Sequence, residues 1–355
     1  MPHTPAPAFA HTLGKRDSKI AIVGEAWGKD EEMAGVPFIG WSGQELTRIL
    51  AEAGIDRQEC FLTNVFAFKP ENNNLETLCG TRKDVGKAYT LPAMKNRKYL
   101  LNEYLPELDR LREELSTIRP NLVVALGGCA AWALIGNGSI SAVRGAITES
   151  TLIPGLKVLP AFHPAYILRQ WSARPILVAD FIKANKERHY PEIRRRTRQI
   201  LLDPTIEEVE AWTEWALTSG QTLLAPDIET ACGLITMIGF ATDPEHAMVI
   251  PFRKNNGTNY WPDIPTERRA WRCVERLLMS LIDKVFQNGM YDLSWLWRLG
   301  FRFRRCTDDT MLLHHSLYPE MNKSLGFLGS LYLNEGAWKL LSPRHRKEKD
   351  SKADA

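Results

Sequence analysis

Short apolar runs alternate with helical periodicity over residues 19–190. The run Ile20-Ala21-Ile22-Val23-Gly24 reads as a buried strand. Leu46, Ile49, Leu50 and Ala53 then recur at helical spacing and stop at Gly54. CFLTNV (60–65), NLVVALG (121–127) and LKVLPAFHP (156–164) read as further strands. A long helix carries Leu101, Leu105, Leu108, Leu111, Leu115 and Ile118 and ends before Pro120, and a short one spans 129–135. Strand–helix alternation of this kind predicts a parallel sheet covered by helices on both faces.

The second half follows another pattern. TLLAPDIE (222–229), LITMIGFA (234–241) and HAMVIPF (246–252) predict a three-strand meander. An amphipathic helix at 266–283, a strand KVFQN (284–288) and helices near 291–299 and 309–317 follow, which together predict a mixed α/β sheet. The boundary falls in the run from Lys183 to Arg198, where seven basic residues meet two glutamates around Pro191. That run reads as a solvated linker or as a stripe that follows phosphates. The expected division is a flexible segment 1–18, a first domain 19–190, a basic linker 191–218, a second domain 219–341 and a charged tail 342–355.

Composition narrows the partners. With 355 residues and about 150 per domain, two domains are expected. The 45 Lys+Arg against 42 Asp+Glu leave a net charge of +3, so only a local patch would mark nucleic acid. One candidate is the polar stretch from Pro70 to Lys98, which reads equally as a basic surface loop or a solvated insertion. Six cysteines without a CxxC pair point to a reduced, cytoplasmic protein. The opening residues have no apolar core for a signal peptide, and Gly127-Gly128 and Gly136-Asn137-Gly138 interrupt the longest uncharged stretch, which excludes a membrane span there. No P-loop or complete dinucleotide turn is present.

Ligands of open α/β sheets bind beyond the carboxyl ends of the strands. Glu25, Trp27, Asp30, Phe38, Asn64 and His163 all fall there. A ring can stack on a planar heterocycle, an amide can read its donor–acceptor edge, and an imidazole can donate to an oxygen on which charge develops. Singly, a Phe after Pro is ordinary core and an Asn after a strand is an ordinary turn residue.

Together the segments resemble a known family. GEAWGxxE (24–31), GxPFIGxSGQELxxIL (35–50), Thr63-Asn64, Arg144-Gly145 and FHPAYILR (162–169) are similar, in order, to the uracil-DNA glycosylase superfamily, closest to its family-4 and family-5 type and bacteriophage relatives. The resemblance implies a three-layer α/β/α fold and excision of uracil flipped out of DNA. It implies that Phe38 stacks on the base and Asn64 reads its edge. It further implies that His163 stabilises the O2 anion and that Ile167, Leu168 and Arg169 form a wedge filling the vacated gap. Glu25 is the candidate for positioning water, with Asp30 behind it. Family-4 members hold a [4Fe-4S] cluster on four cysteines. Here CxxC is missing and Phe68 stands where a cysteine is expected after the TN motif, so no Fe–S cluster is expected. Trp27 in place of the usual proline is expected to narrow the pocket mouth.

DIETACGLITMIGFA (227–241), VFQNGMYDLSWL (285–296), DDTMLLHHSLYP (308–319) and LGFLGSLYLNEGAWK (325–339) resemble the 3′–5′ exonuclease domain of family-A and phage DNA polymerases, a ribonuclease-H-like mixed α/β fold. That resemblance implies Mg²⁺ or Mn²⁺ on Asp227, Glu229 and Asp292, with Asn288 and Asp309 as accessory residues. The fourth carboxylate has no clear counterpart, since His345 and Asp350 fit only the spacing, within the charged tail. Exonuclease activity is therefore expected to be weak or absent. The expected partners are DNA and a separate DNA polymerase, in the cytoplasm (the host's, for a phage protein). The rival reading is a non-catalytic module that binds uracil or single-stranded DNA and recruits a polymerase.

Overall fold

The computed structural model describes residues 3–333. They fall into a first unit of residues up to Ile193 together with Gly326 onward, and a second unit of Arg194–Leu325.

The first unit runs β1 (Ile20–Gly24), α1 (Lys29–Ala34), α2 (Trp41–Glu52), β2 (Cys60–Asn64), β3 (Cys79–Gly80), α3 (Arg82–Val85), β4 (Tyr99–Leu100), α4 (Leu105–Ile118), β5 (Leu122–Leu126), α5 (Gly127–Ile135), α6 (Ile140–Val143), β6 (Thr148–Glu149), β7 (Lys157–Ala161), α7 (Pro164–Arg169) and α8 (Arg174–Glu187). Its sheet has the order β2-β1-β5-β7-β6, parallel except for β6. Every residue of β1, β2, β5 and β7 is buried. Ala21, Val23, Phe61, Val123, Ala125 and Val158 join one core with α4 and α5. The alternate residues Ile20, Ile22, Leu62, Val124 and Leu159 are buried on the opposite face. The result is a three-layer α/β/α sandwich. Helix α4 starts at Leu105 rather than Leu101, because Pro106 fits only its first turn.

The second unit comprises β8 (Gln199–Leu201), α9 (Ile206–Thr218), β9 (Leu223–Ala231), β10 (Leu234–Ala241), β11 (His246–Pro251), α10 (Ile264–Met279), β12 (Asp283–Phe286), α11 (Met290–Arg298), β13 (Cys306–Asp309) and α12 (Thr310–Leu317). Its sheet order is β13-β12-β9-β10-β11-β8. The meander β9–β11 is antiparallel, and β12 and β13 run parallel to β9. That strand order is ribonuclease-H-like.

Three expected boundaries differ. Residues 1–18 were expected to be flexible, yet Leu13 bridges Leu62, the Phe9 amide donates to Glu114 at 3.1 Å, and His3 Nε2 lies 2.7 Å from Glu107. The expected linker 191–218 contains β8 and α9, whose Ile206, Val209 and Ala216 enter the second core. A capping box of Thr205 and Glu208 starts α9, and the preceding arginines hid that start in the sequence. The second unit also ends at Leu325, not 341. From Gly326, helix α13 (Leu325–Tyr332) belongs to the first unit, where Arg144 Nη1 donates to Ser330 Oγ at 3.1 Å and Lys183 Nζ donates to the carbonyls of Ser330 and Leu333 at 2.7 and 2.6 Å.

Candidate active site

The parallel sheet of the first unit brings its candidate residues to one edge by register. Gly24 ends β1 and pairs with Asn64 at the end of β2. A Cβ on Gly24 would lie 2.2 Å from Asn64 Oδ1 and 2.5 Å from Phe38 Cζ, so only glycine leaves room for the two side chains to converge. His163 follows β7, and its ring faces Phe38 at 6.3 Å between centroids and 23° between planes. Phe38, Asn64 and His163 therefore surround one strand-end pocket. Glu25 follows Gly24 directly in the chain.

Phe38 is held in a costly conformation. Its φ of 58° is left-handed, which a bulky residue rarely adopts. Arg57 Nη2 donates to its carbonyl at 2.8 Å. Glu31 closes the loop by accepting from the Gly28 and Gly40 amides at 3.1 and 3.2 Å. Gly43 permits the approach of that loop, since a Cβ there would meet the Phe38 carbonyl oxygen at 1.9 Å.

Asn64 is fixed from below. Buried Arg110 donates to the Asn64 and Val65 carbonyls at 2.7 and 2.9 Å, and to Glu107 and Glu114 at 2.9 and 2.7 Å. Glu114 also accepts from Thr63 Oγ1 at 2.7 Å. Glu31 and Gly43 stand in the quoted motifs without a role, and Arg57 and Arg110 lie outside those motifs. A buried basic residue in an acidic helix was the one available signal, at Arg110.

His163 caps α7, its Nδ1 accepting from the Ala165 amide at 3.1 Å. The neutral ring then carries its proton on Nε2. Burial, with a smaller push from the Arg169 charge, pulls its imidazole down to about 4. The neutral donor form is thus the resting state. Burial raises the Glu25 carboxyl above its ordinary value, and Lys95 and Arg169 oppose that shift. Lys95 belongs to the insertion after Pro70, which is fastened to the fold: the hairpin β3–β4 forms within it, and Trp132 Nε1 donates to the Pro92 carbonyl at 2.9 Å.

Several expectations need correction. Ile167 is fully buried in α7, so a wedge would rest on exposed Leu168 and Arg169 alone. Trp27 is buried edge-on against His11, with ring centroids 4.5 Å apart, and does not stand at the mouth. Asp30 is exposed in the first turn of α1. Arg144, to which the resemblance assigns no role, is buried and pairs with buried Asp180, donating from Nε at 3.1 Å.

The residues present do not fit an iron–sulfur cluster. Phe68 lies between His3 and Tyr104, at 4.5 and 5.9 Å between centroids. Cys79 stands in β3, while buried Cys129 lies in α5.

In the second unit Asp227 and Glu229 lie inside β9 rather than at its end, exposed on one face, with Ile228 buried between them. Asp292 is buried and accepts from the Ile228 amide at 2.9 Å. Burial, with smaller pushes from the charges of Asp227 and Asp309, lifts its carboxyl to about 6. Asp309 caps α12 and accepts from the amides of Asn288, Gly289, Met311 and Leu312 at 3.2, 2.7, 2.8 and 3.3 Å. It therefore fastens the Asn288 turn, which has a φ of 62°. Among the described residues no three His, Cys, Asp or Glu side chains gather as a metal site, and one Asp292 carboxylate oxygen is taken by the Ile228 amide. His345 and Asp350 lie outside the described residues. No helix among the described residues is long and apolar enough to cross a membrane.

The profile of the Uracil DNA glycosylase superfamily matches residues 11–188. The type-4 uracil-DNA glycosylase of Thermotoga maritima is 30% identical over 173 residues, covering 48% of this chain and 78% of the relative. That of Archaeoglobus fulgidus is 30% identical over 187 residues, covering 51% and 82%. Among solved structures, Brucella melitensis NrnC aligns at 15% identity with a TM-score of 0.27, over 40% of this chain and 63% of that one. The ribonuclease-H-like assignment of the second unit rests on its own strand order. The matched span holds the whole strand-end pocket in the expected order of motifs, and the chain belongs to the uracil-DNA glycosylase superfamily.

Proposed function

We propose that the first unit excises uracil from DNA by hydrolysing its N-glycosidic bond. The convergence of Phe38 and Asn64 over Gly24, opposite His163, carries this reading. In it the base leaves the stack and enters the pocket. Phe38 stacks on its face and the Asn64 amide reads its polar edge. Nε2–H of neutral His163 donates to O2 as the glycosidic bond breaks and negative charge collects on the departing base. Glu25, ionised, orients the water that adds to the sugar carbon and takes its proton. Leu168 and Arg169 occupy the space the nucleotide leaves.

The second unit is the appended exonuclease-like part of the same DNA-processing chain. Its carboxylates support at most feeble Mg²⁺- or Mn²⁺-dependent digestion, and that favours a role in holding DNA, with a separate polymerase as the partner that would complete it. The test is a 5′-labelled single strand with one uracil, incubated in EDTA and then treated with alkali. EDTA silences metal-dependent cleavage. A cut at the uracil is the expected result, and an intact strand would shift the weight to a binding module.

A further inference from the structure

Two indoles beside the pocket take no part in this chemistry. Trp41 opens α2 and is 75% exposed; Trp171 follows α7 and is 62% exposed. Single exposed aromatics are ordinary on protein surfaces. Trp171 differs in how it is held, and both differ in what they flank.

The Arg174 guanidinium lies 5.3 Å from the centre of the Trp171 ring. It donates from Nε to Glu45 and from Nη1 to Glu52, each at 2.8 Å. Glu45 lies one helical turn after Trp41 in α2, on the same helix face, and also receives Arg48 at 3.2 Å. Trp171 is thereby braced against the helix whose first residue is Trp41. Both indoles adjoin the pocket along the chain. Trp41 follows the loop that carries Phe38. Trp171 follows Arg169, whose charge reaches both Glu25 and His163. Arg48 and Arg174 offset the charges of Glu45 and Glu52 between the two indoles.

Resting on the uracil-excision reading, we propose that Trp41 and Trp171 form a stacking rim for the unpaired bases flanking the flipped nucleotide. The occupant is single-stranded DNA. Duplex bases already stack on one another and present no free face to an indole, whereas unpaired bases do. The rim thus sets strand preference, and Arg48 and Arg169 meet the phosphates on either side of the target.

The test is fluorescence anisotropy of the full chain with a labelled thymidine oligonucleotide of about 12 nucleotides, single-stranded or as a duplex. The probe lacks uracil, so the result does not depend on base excision. Trp41→Ala and Trp171→Ala should each weaken single-strand binding by roughly 10-fold, and the double variant by up to about 100-fold. Duplex binding should stay within about 2-fold. Trp→Phe variants, which keep a ring and guard against misfolding as the cause, should retain most of the affinity. Unchanged single-strand binding, or an equal loss on duplex, overturns the proposal. Loss of the rim with excision intact, or the reverse, separates this inference from the reading on which it rests.

Discussion

Gly24 and Asn64 sit side by side at the ends of β1 and β2, so close that a methyl on Gly24 would lie 2.2 Å from Asn64 Oδ1. The same methyl would lie 2.5 Å from Phe38 Cζ. Gly24→Ala should therefore displace the side chains of both Phe38 and Asn64. We expect uracil excision to fall by about 100-fold or more, on the scale of losing positioned contacts. Circular dichroism should show the fold retained. Wild-type turnover in this variant would show that the convergence is irrelevant.

His163 makes a pH prediction with a definite sign. Its folded pKa, about 4, lies below the ordinary value of 6.5. Stability from the neutral ring is fully present above about 6.5 and is lost as pH falls towards 4, because the unfolded chain binds the proton first. Activity should hold until the pH nears the folded value of about 4, where the ring protonates and can no longer accept from the Ala165 amide. A rate profile carried down to about pH 3.5 checks this, and a His163→Gln variant should lose the associated stability limb.

Glu25 shifts the other way, its pKa raised by burial. In the proposed mechanism the ionised form orients water, and it is the form burial disfavours. Stability is lost as pH rises through that pKa. Glu25→Gln should lower kcat by roughly 10²–10⁴-fold, as for loss of a general base, and raise Tm at pH 7.5. A variant with both kcat and Tm lowered would assign Glu25 a structural role instead.

Arg110 lies between Glu107 and Glu114, with side chains 1–3% exposed. Removing it leaves two buried carboxylates without their cation. Arg110→Met should cost about 3–5 kcal/mol in urea unfolding, and the Asn64 carbonyl would lose its anchor. A change under about 1 kcal/mol would contradict the role given to this network.

For the second unit, digestion of a single strand in Mg²⁺ should be feeble and Asp227→Ala should barely alter it. Robust digestion abolished by that substitution would instead assign Asp227 to a working metal site.

What could be read in the sequence follows from distance along the chain. Strands of one apolar run and residues immediately after them, such as Asn64 and His163, announce themselves through period and position. The supports do not, because each meets its partner far away: Arg57 holds Phe38 from 19 residues on, and Arg110 holds Asn64 from 46 residues on. The left-handed Phe38 is likewise invisible, since nothing in Pro37-Phe38-Ile39 announces the turn. Ile167 looked available because its neighbours Leu168 and Arg169 are exposed, yet a helix turns successive residues to different sides. The run of arginines at 194–198 concealed the start of a folded domain, because charge dominated a window in which β8 has only three residues.

The most direct measurement is chromatographic detection of free uracil released in EDTA from a single-stranded oligonucleotide, comparing wild type with Asn64→Ala under single-turnover conditions. Stoichiometric uracil from the wild type and a rate lower by orders of magnitude in the variant are expected. No free uracil from the wild type, or equal release from both proteins, would contradict the proposed excision.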